Sequence, residues 1–187
     1  MKIPVIDNGG QWTHREWRVL RDLDVESTIV PNTTPLEELD ADGIVLSGGA
    51  LSLEGSAELG HVGQWIDRAA VPILGICVGH QFLARHFGGS VGHSGSPEFG
   101  RVTITVDEPD HPMFAGLPAS FTAWESHNDQ VTRVPAEFRP IAHSADCRVQ
   151  AMVHPTKPIV GVQFHPEVEH TEGGREIFRR FLDMCRR

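Results

Sequence analysis

Apolar positions in the first half of the chain fall into short runs separated by amphipathic stretches. Residues 2–6, 25–30, 43–46 and 71–76 are four such runs, rich in Val, Ile and Leu at consecutive positions. Runs of that kind predict strands buried on both faces. Between them, residues 13–23 place Trp17, Leu20 and Leu23 three or more apart, residues 35–39 open with a proline, and residues 58–69 continue the helical spacing. These stretches predict helices. A further helix is predicted over 78–87 through Val78, Phe82, Leu83 and Phe87, stopped by Gly88-Gly89. A β-α-β-α-β-α-β order with short buried strands predicts an α/β fold: an open, mostly parallel sheet covered by helices on both faces.

The second half changes period. Residues 101–106, 120–124, 139–143, 148–153 and 159–164 read as strands, several with alternating apolar and polar positions, and predict antiparallel additions to the same sheet. Residues 172–187 close the chain as a helix with Ile177, Phe178, Phe181 and Leu182 on one face. No repeat, low-complexity tract or linker interrupts the pattern, so residues 1–187 are expected to form one domain.

Composition removes several function classes. Sixteen Lys and Arg stand against 25 Asp and Glu, a net charge of −9, so the basic footprint of nucleic-acid binding is missing. No run of roughly eighteen apolar residues exists, and the chain enters a strand pattern at once without a leader-like segment. A cytoplasmic protein with no membrane partner is expected. Cys77, Cys147 and Cys185 are far apart and odd in number, which argues against a disulfide framework and a Cys-x-x-Cys metal site.

One cysteine has a setting of its own. Residues 71–76 deliver Cys77 into a corner with Gly75 and Gly79 two positions to either side, followed at once by the predicted helix. Hydrolases with a G-x-S-x-G elbow use the same spacing, because small neighbours permit the strained strand-to-helix turn that exposes a nucleophile. A helix N-terminus also favours thiolate, the attacking form. Buried packing is the other reading of a cysteine that ends an aliphatic strand.

A nucleophilic cysteine needs a base, and the base an orienting acceptor. Of the eleven histidines, three precede proline: His111, His154 and His165. Only His165-Pro166-Glu167 is followed by an acid. Proline biases the preceding residue to extended geometry, where residues two apart point to one side, so His165 and Glu167 are placed for a ring N–H to carboxylate bond. The pair could instead be two metal ligands or an ordinary strand-end turn; no third ligand at short spacing supports a metal, and none is expected. Oxyanion donors would be the backbone N–H groups of Val78, after the elbow, and Gly49, in Ser47-Gly48-Gly49 after a buried strand.

Taken together, Ser47-Gly48-Gly49, Gly75-x-Cys77-x-Gly79-His80-Gln81 and Phe164-His165-Pro166-Glu167 resemble the class I, or triad, glutamine amidotransferases. The resemblance implies a flavodoxin-like sheet and hydrolysis of L-glutamine through a Cys77 thioester, with His165 as acid and base and Glu167 as its orienter. It implies substrate binding by Gln81. Ala50 departs from the proline usual after Ser-Gly-Gly. Residues 7–14, Glu98-Phe99-Gly100 and residues 124–131 further resemble the glutaminase part of GMP synthetases, and by that likeness His127, Asn128 and Asp129 help hold glutamine or face a partner. The separate-subunit form is implied: no cofactor in this chain, and ATP and Mg²⁺ in an ATP-pyrophosphatase partner that converts xanthosine monophosphate (XMP) to GMP. Alternatives are the glutaminase of anthranilate or aminodeoxychorismate synthase, a stand-alone γ-glutamyl peptidase, and a non-enzymatic protein that kept the fold.

Overall fold

The computed structural model describes residues 1–54, 58–68 and 70–186. Its strands are β1 (Val5–Asp7), β2 (Ile29–Pro31), β3 (Ile44–Leu46), β4 (Ile73–Ile76), β5 (Ser90–Val106), β6 (Ser120–Arg133), β7 (Arg139–His143), β8 (Ala151–Val153) and β9 (Ile159–Val162). The helices are α1 (Thr13–Arg21), α2 (Val62–Arg68), α3 (Val78–His86) and α4 (Gly174–Cys185). The predicted helix at 35–39 is a single 3-10 turn, Leu36–Glu38. Ala69 and Arg187, the expected ends of two helices, lie outside the described residues.

All nine strands form one sheet in the order β2-β1-β3-β4-β9-β8-β7-β5-β6. The first five are parallel and follow the flavodoxin-like order; the remaining neighbours are antiparallel. Consecutive aliphatics on β1, β3, β4 and β9 serve opposite faces. Val5, Val45, Leu74 and Val160 pack with Leu20 of α1 and Ile177, Phe178 and Phe181 of α4. Ile6, Ile44, Leu46 and Ile73 pack with Trp65 of α2 and Phe82 and Leu83 of α3. This two-sided demand explains why these strands read as unbroken apolar runs.

The hairpin β5–β6 departs from expectation. The sequence pattern starts β5 at residue 101 and ends β6 at 124, yet the two strands pair from Ser90↔Arg133 to Thr105↔Ser120. The register slips between His93 and Glu98, where β5 carries Ser94-Gly95-Ser96-Pro97 against a shorter span of β6. Gly, Ser and Pro at such a bulge look like loop residues in sequence. Residues 124–131, with the composition of a polar loop, are therefore strand. Their extension carries the ribbon past the sheet to the ends of β1, β3, β4 and β9.

Candidate active site

The carboxyl ends of the parallel strands open into one cavity of about 730 Å³, within the range of small-molecule sites. The connection from β4 to α3 is the single residue Cys77, and that from β1 to α1 is five residues, 8–12. Asn8 follows β1; its amide nitrogens bind Ser47, the backbone N–H donating to Ser47 Oγ at 3.0 Å and Nδ2 to the Ser47 carbonyl at 2.9 Å. These bonds tie the first and third strand ends together. Cys77 follows β4, and His165 lies three residues beyond the end of β9.

Cys77 has φ 50° and ψ −107°, a conformation L-residues rarely adopt. Backbone of this kind costs on the order of 1–3 kcal/mol and persists only where the surroundings impose it. Both flanking glycines are part of that imposition. A Cβ on Gly75 would lie 2.7 Å from the Gly79 carbonyl carbon, and a Cβ on Gly79 would collide with the Leu46 carbonyl oxygen and lie 2.8 Å from Leu46 Cβ. Neither neighbour is a flexible side-chain tip, so Gly79→Ala is expected to cost roughly 1–3 kcal/mol of stability, as overpacking does, and denaturant unfolding checks it. Val78 opens α3, where its N–H has no intrahelical acceptor; Val78 and Gly49 both line the cavity.

His165 faces this corner. A Cβ placed on Gly48 would lie 3.1 Å from His165 Cε1 and 3.6 Å from Cys77 Cβ, so nucleophile and imidazole flank the same glycine. His165 Nδ1 is 2.6 Å from Glu167 Oε1, with the side chains 6% and 0% exposed. A carboxylate only accepts, so Nδ1 carries the proton and Nε2 is left for exchange. Direct contact at this distance leaves no room for a metal between them. Burial acts to lower the His165 pKa, but the charges of Glu167 and Cys77, with hydrogen bonds to both, outweigh it and hold the imidazole well above its ordinary value. The Trp12 ring stands edge-on against His165, centroids 4.4 Å apart. His80, next to the elbow, is no rival base: its Nε2 lies 3.1 Å from the Val149 carbonyl oxygen, and burial pushes its imidazole down to about 3.

The expected substrate-binding residues are brought together, with differing duties. Gln81, His127, Asn128 and Asp129 all line the cavity. The Gln81 amide nitrogen, however, donates to the Asp129 carbonyl at 2.7 Å and to Gln163 Oε1 at 3.0 Å. Gln163 in turn points its Nε2 at Cys77 Sγ, 3.6 Å away. Gln81 thus reaches the sulfur through Gln163, a residue that no sequence motif singles out. The Asp129 carboxylate accepts from Ser52 Oγ at 2.5 Å and lies 3.5 Å from His93 Nδ1, across the cavity mouth.

The His127 imidazole is 2.9 Å from Glu98 Oε2 in a buried network behind the cavity. Ser144 Oγ and Gln150 Nε2 donate to the two Glu98 oxygens at 2.6 and 2.8 Å. Glu98, His127 and Cys147 could each offer a metal-ligand atom within 4.8 Å of one another. Yet both Glu98 oxygens already accept hydrogen bonds, and burial pushes the Cys147 thiol up to about 12, so the cluster is held by hydrogen bonds centred on Glu98.

Glu125 is the strained member. It is fully buried, its Oε2 lies 3.5 Å from His127 Nε2, and burial followed by the Glu98 charge pushes its carboxyl well above the usual range. Because burial favours its protonated form in the fold while the unfolded chain ionises at the ordinary carboxyl value, its cost grows as pH rises past that value. Glu125→Gln is therefore expected to raise Tm at about pH 8, with the advantage shrinking towards about pH 4. Thermal unfolding at both pH values checks this.

Two further cavity residues, Trp12 and Glu16, were not among the expected site residues. Trp12 immediately precedes α1 and Glu16 lies in its first turn. The signal for Glu16 was an acid in register with Thr13 and Leu20, the other buried positions of that helix.

Comparison with known proteins agrees with this geometry. The class I glutamine amidotransferase family model matches residues 4–185. A glutamine-hydrolysing GMP synthase subunit from Thermoplasma acidophilum is 54% identical, over 99% of this chain and 93% of that protein. Its Thermococcus kodakarensis counterpart is 49% identical over 98% of each. A crystal structure of a candidate GMP synthase subunit from T. acidophilum superposes with TM-score 0.93 at 53% identity, covering 100% of this chain and 94% of that one. A Thermotoga maritima glutamine amidotransferase shares the fold, with TM-score 0.75 at 22% identity over 98% of this chain and 81% of that one.

Proposed function

This chain belongs to the class I glutamine amidotransferases, and on that premise we propose that it is the glutaminase subunit of a two-chain GMP synthetase. The observation that carries the reading is Cys77 held in elbow geometry beside the same glycine as His165, whose ring is locked to Glu167. Similarity to glutamine-hydrolysing GMP synthase subunits over nearly the whole of both chains selects this synthetase over the chorismate-dependent ones.

In the proposed mechanism, His165 Nε2 takes the Cys77 thiol proton as Sγ attacks the side-chain amide carbon of L-glutamine. The N–H groups of Gly49 and Val78 receive the negative charge that develops on the carbonyl oxygen. His165 Nε2 gives its proton to the departing nitrogen, so ammonia leaves and a γ-glutamyl thioester remains. His165, now neutral, takes a proton from water as that water attacks the thioester. Glutamate and the free thiol follow, with one water consumed for each ammonia released. Glu167 keeps the ring in one tautomer and supports its positive form through both halves. Gln163 supports the sulfur by aiming an N–H at it.

Ammonia then passes to the partner, an ATP-pyrophosphatase chain that uses ATP and Mg²⁺ to activate XMP. This chain carries no cofactor of its own in that scheme, and the pair works in the cytoplasm. Among the described residues no helix is long and apolar enough to cross a membrane. The test mixes glutamine, ATP, Mg²⁺ and XMP with the chain and the candidate partner. GMP formed only when both chains are present supports the assignment. Formation from free ammonium but not from glutamine counts against it.

A further inference from the structure

Glu16 has no packing reason to be where it is. It occupies the inward face of α1 between Thr13 and Leu20, is 1% exposed, and lines the same cavity as Cys77 and His165. A carboxyl in such a place costs free energy unless it does something for its neighbours. Its Oε1 accepts the Gly48 N–H at 3.3 Å. Its Oε2 is buried without a partner among the described residues, as is Oε2 of Glu167.

Gly48 is the residue wedged between nucleophile and base, where a Cβ would press on the His165 ring at 3.1 Å. Gly49, one residue on, is packed so closely on the Asn8 backbone that a Cβ would lie 2.5 Å from the Asn8 carbonyl oxygen. Anchoring the Gly48 N–H on one side and packing Gly49 against Asn8 on the other together restrict the peptide between them, and the side chain that anchors the Gly48 N–H is Glu16.

We propose that Glu16 is a positioning residue of the glutaminase centre: its carboxyl oxygen fixes the Gly48 amide and thereby keeps the Gly49 oxyanion donor in register with Cys77 and the His165–Glu167 pair. The role rests on the glutaminase reading above. Burial, and next the charge of Glu167, push the Glu16 carboxyl well above its usual range, which favours its neutral form beside the dyad. A neutral acceptor can be copied by an amide of the same shape. That separates hydrogen bonding from both charge and packing.

The experiment compares wild type, Glu16→Gln and Glu16→Met in complex with the ATP-pyrophosphatase partner, following glutamate release per folded chain. Methionine fills a similar volume and suits a helix but offers no acceptor for Gly48. Glu16→Gln is expected within about twofold of wild type, whereas Glu16→Met is expected to lose about tenfold to a hundredfold in kcat with KM little changed, the pattern of a misplaced transition-state donor. A Glu16→Met protein with wild-type kcat overturns the proposal. So does a Glu16→Gln protein as slow as Glu16→Met, since charge would then be what matters. A wild-type complex that releases no glutamate from glutamine takes down the glutaminase reading and this inference with it; a normal wild-type rate with equal variants takes down the inference alone.

Discussion

Replacing Cys77 with alanine is expected to reduce glutamine-dependent GMP formation by at least about 10⁴-fold while ammonium-dependent formation continues, as loss of a covalent nucleophile should. The split follows from where the chemistry sits. Ammonium enters the reaction after the thioester step, so it bypasses this chain's sulfur. No other thiol can stand in. Cys147 is fully buried behind the cavity and Cys185 lies at the end of α4 against Gly43; burial pushes each up to about 12. Neither lines the cavity. Measuring GMP from glutamine and from ammonium in parallel checks the prediction. Equal loss from both sources would show that the substitution had damaged the complex and not the thioester step.

Glu167→Gln is expected to lower kcat for glutamine hydrolysis by roughly 10²–10⁴-fold, the range seen when a catalytic histidine loses its orienting carboxylate. Two consequences of the same bond lie behind it. The amide can present an N–H to Nδ1, which would favour the wrong tautomer and leave Nε2 protonated in the neutral ring. The charge that offsets burial of the imidazole also disappears. With Glu167 gone, burial pulls the His165 pKa down, so the alkaline limb of the rate profile is expected to move to lower pH. A stability effect runs the same way. In the wild type the raised His165 pKa contributes stability that is fully present below the ordinary histidine value of about 6.5 and is lost as pH rises through the folded-state value. Glu167→Gln should therefore lose most stability below about pH 6.5 and least in alkaline solution, which denaturant melts across pH can measure.

Much of this site was legible before any coordinates. The elbow could be read because its steric demand is local: a strained residue needs small neighbours two positions away, and Gly75 and Gly79 meet it within one pentapeptide. The His165–Glu167 pair could be read for a similar reason, since Pro166 biases the histidine to extended chain and the acid is two residues on. The parallel sheet declared itself through aliphatic runs such as Ile73-Leu74, whose members serve opposite faces.

What failed to show were features whose partners are remote in sequence. Residues 124–131 looked like loop because the ribbon that makes them strand depends on pairing across the bulge at Ser94-Gly95-Ser96-Pro97. That the Gln81 amide nitrogen is shared between Asp129 and Gln163 could not be read from its place after the elbow. The helix at 13–23 shows its period through Trp17, Leu20 and Leu23, whereas its buried face is Thr13, Glu16 and Leu20. An acid on that face resembles a misplaced surface residue until Gly48 is seen beside it.

By itself, then, the order of residues determined the α/β class, the corner that carries the thiol and the imidazole–carboxylate pair, because each is imposed by bonded geometry or by neighbours within a few positions. Only the tertiary structure decided which carboxyls are buried, which amides face the sulfur and which ribbon walls the cavity. Those depend on burial and on hydrogen bonds between segments tens of residues apart, and one-dimensional spacing does not encode either.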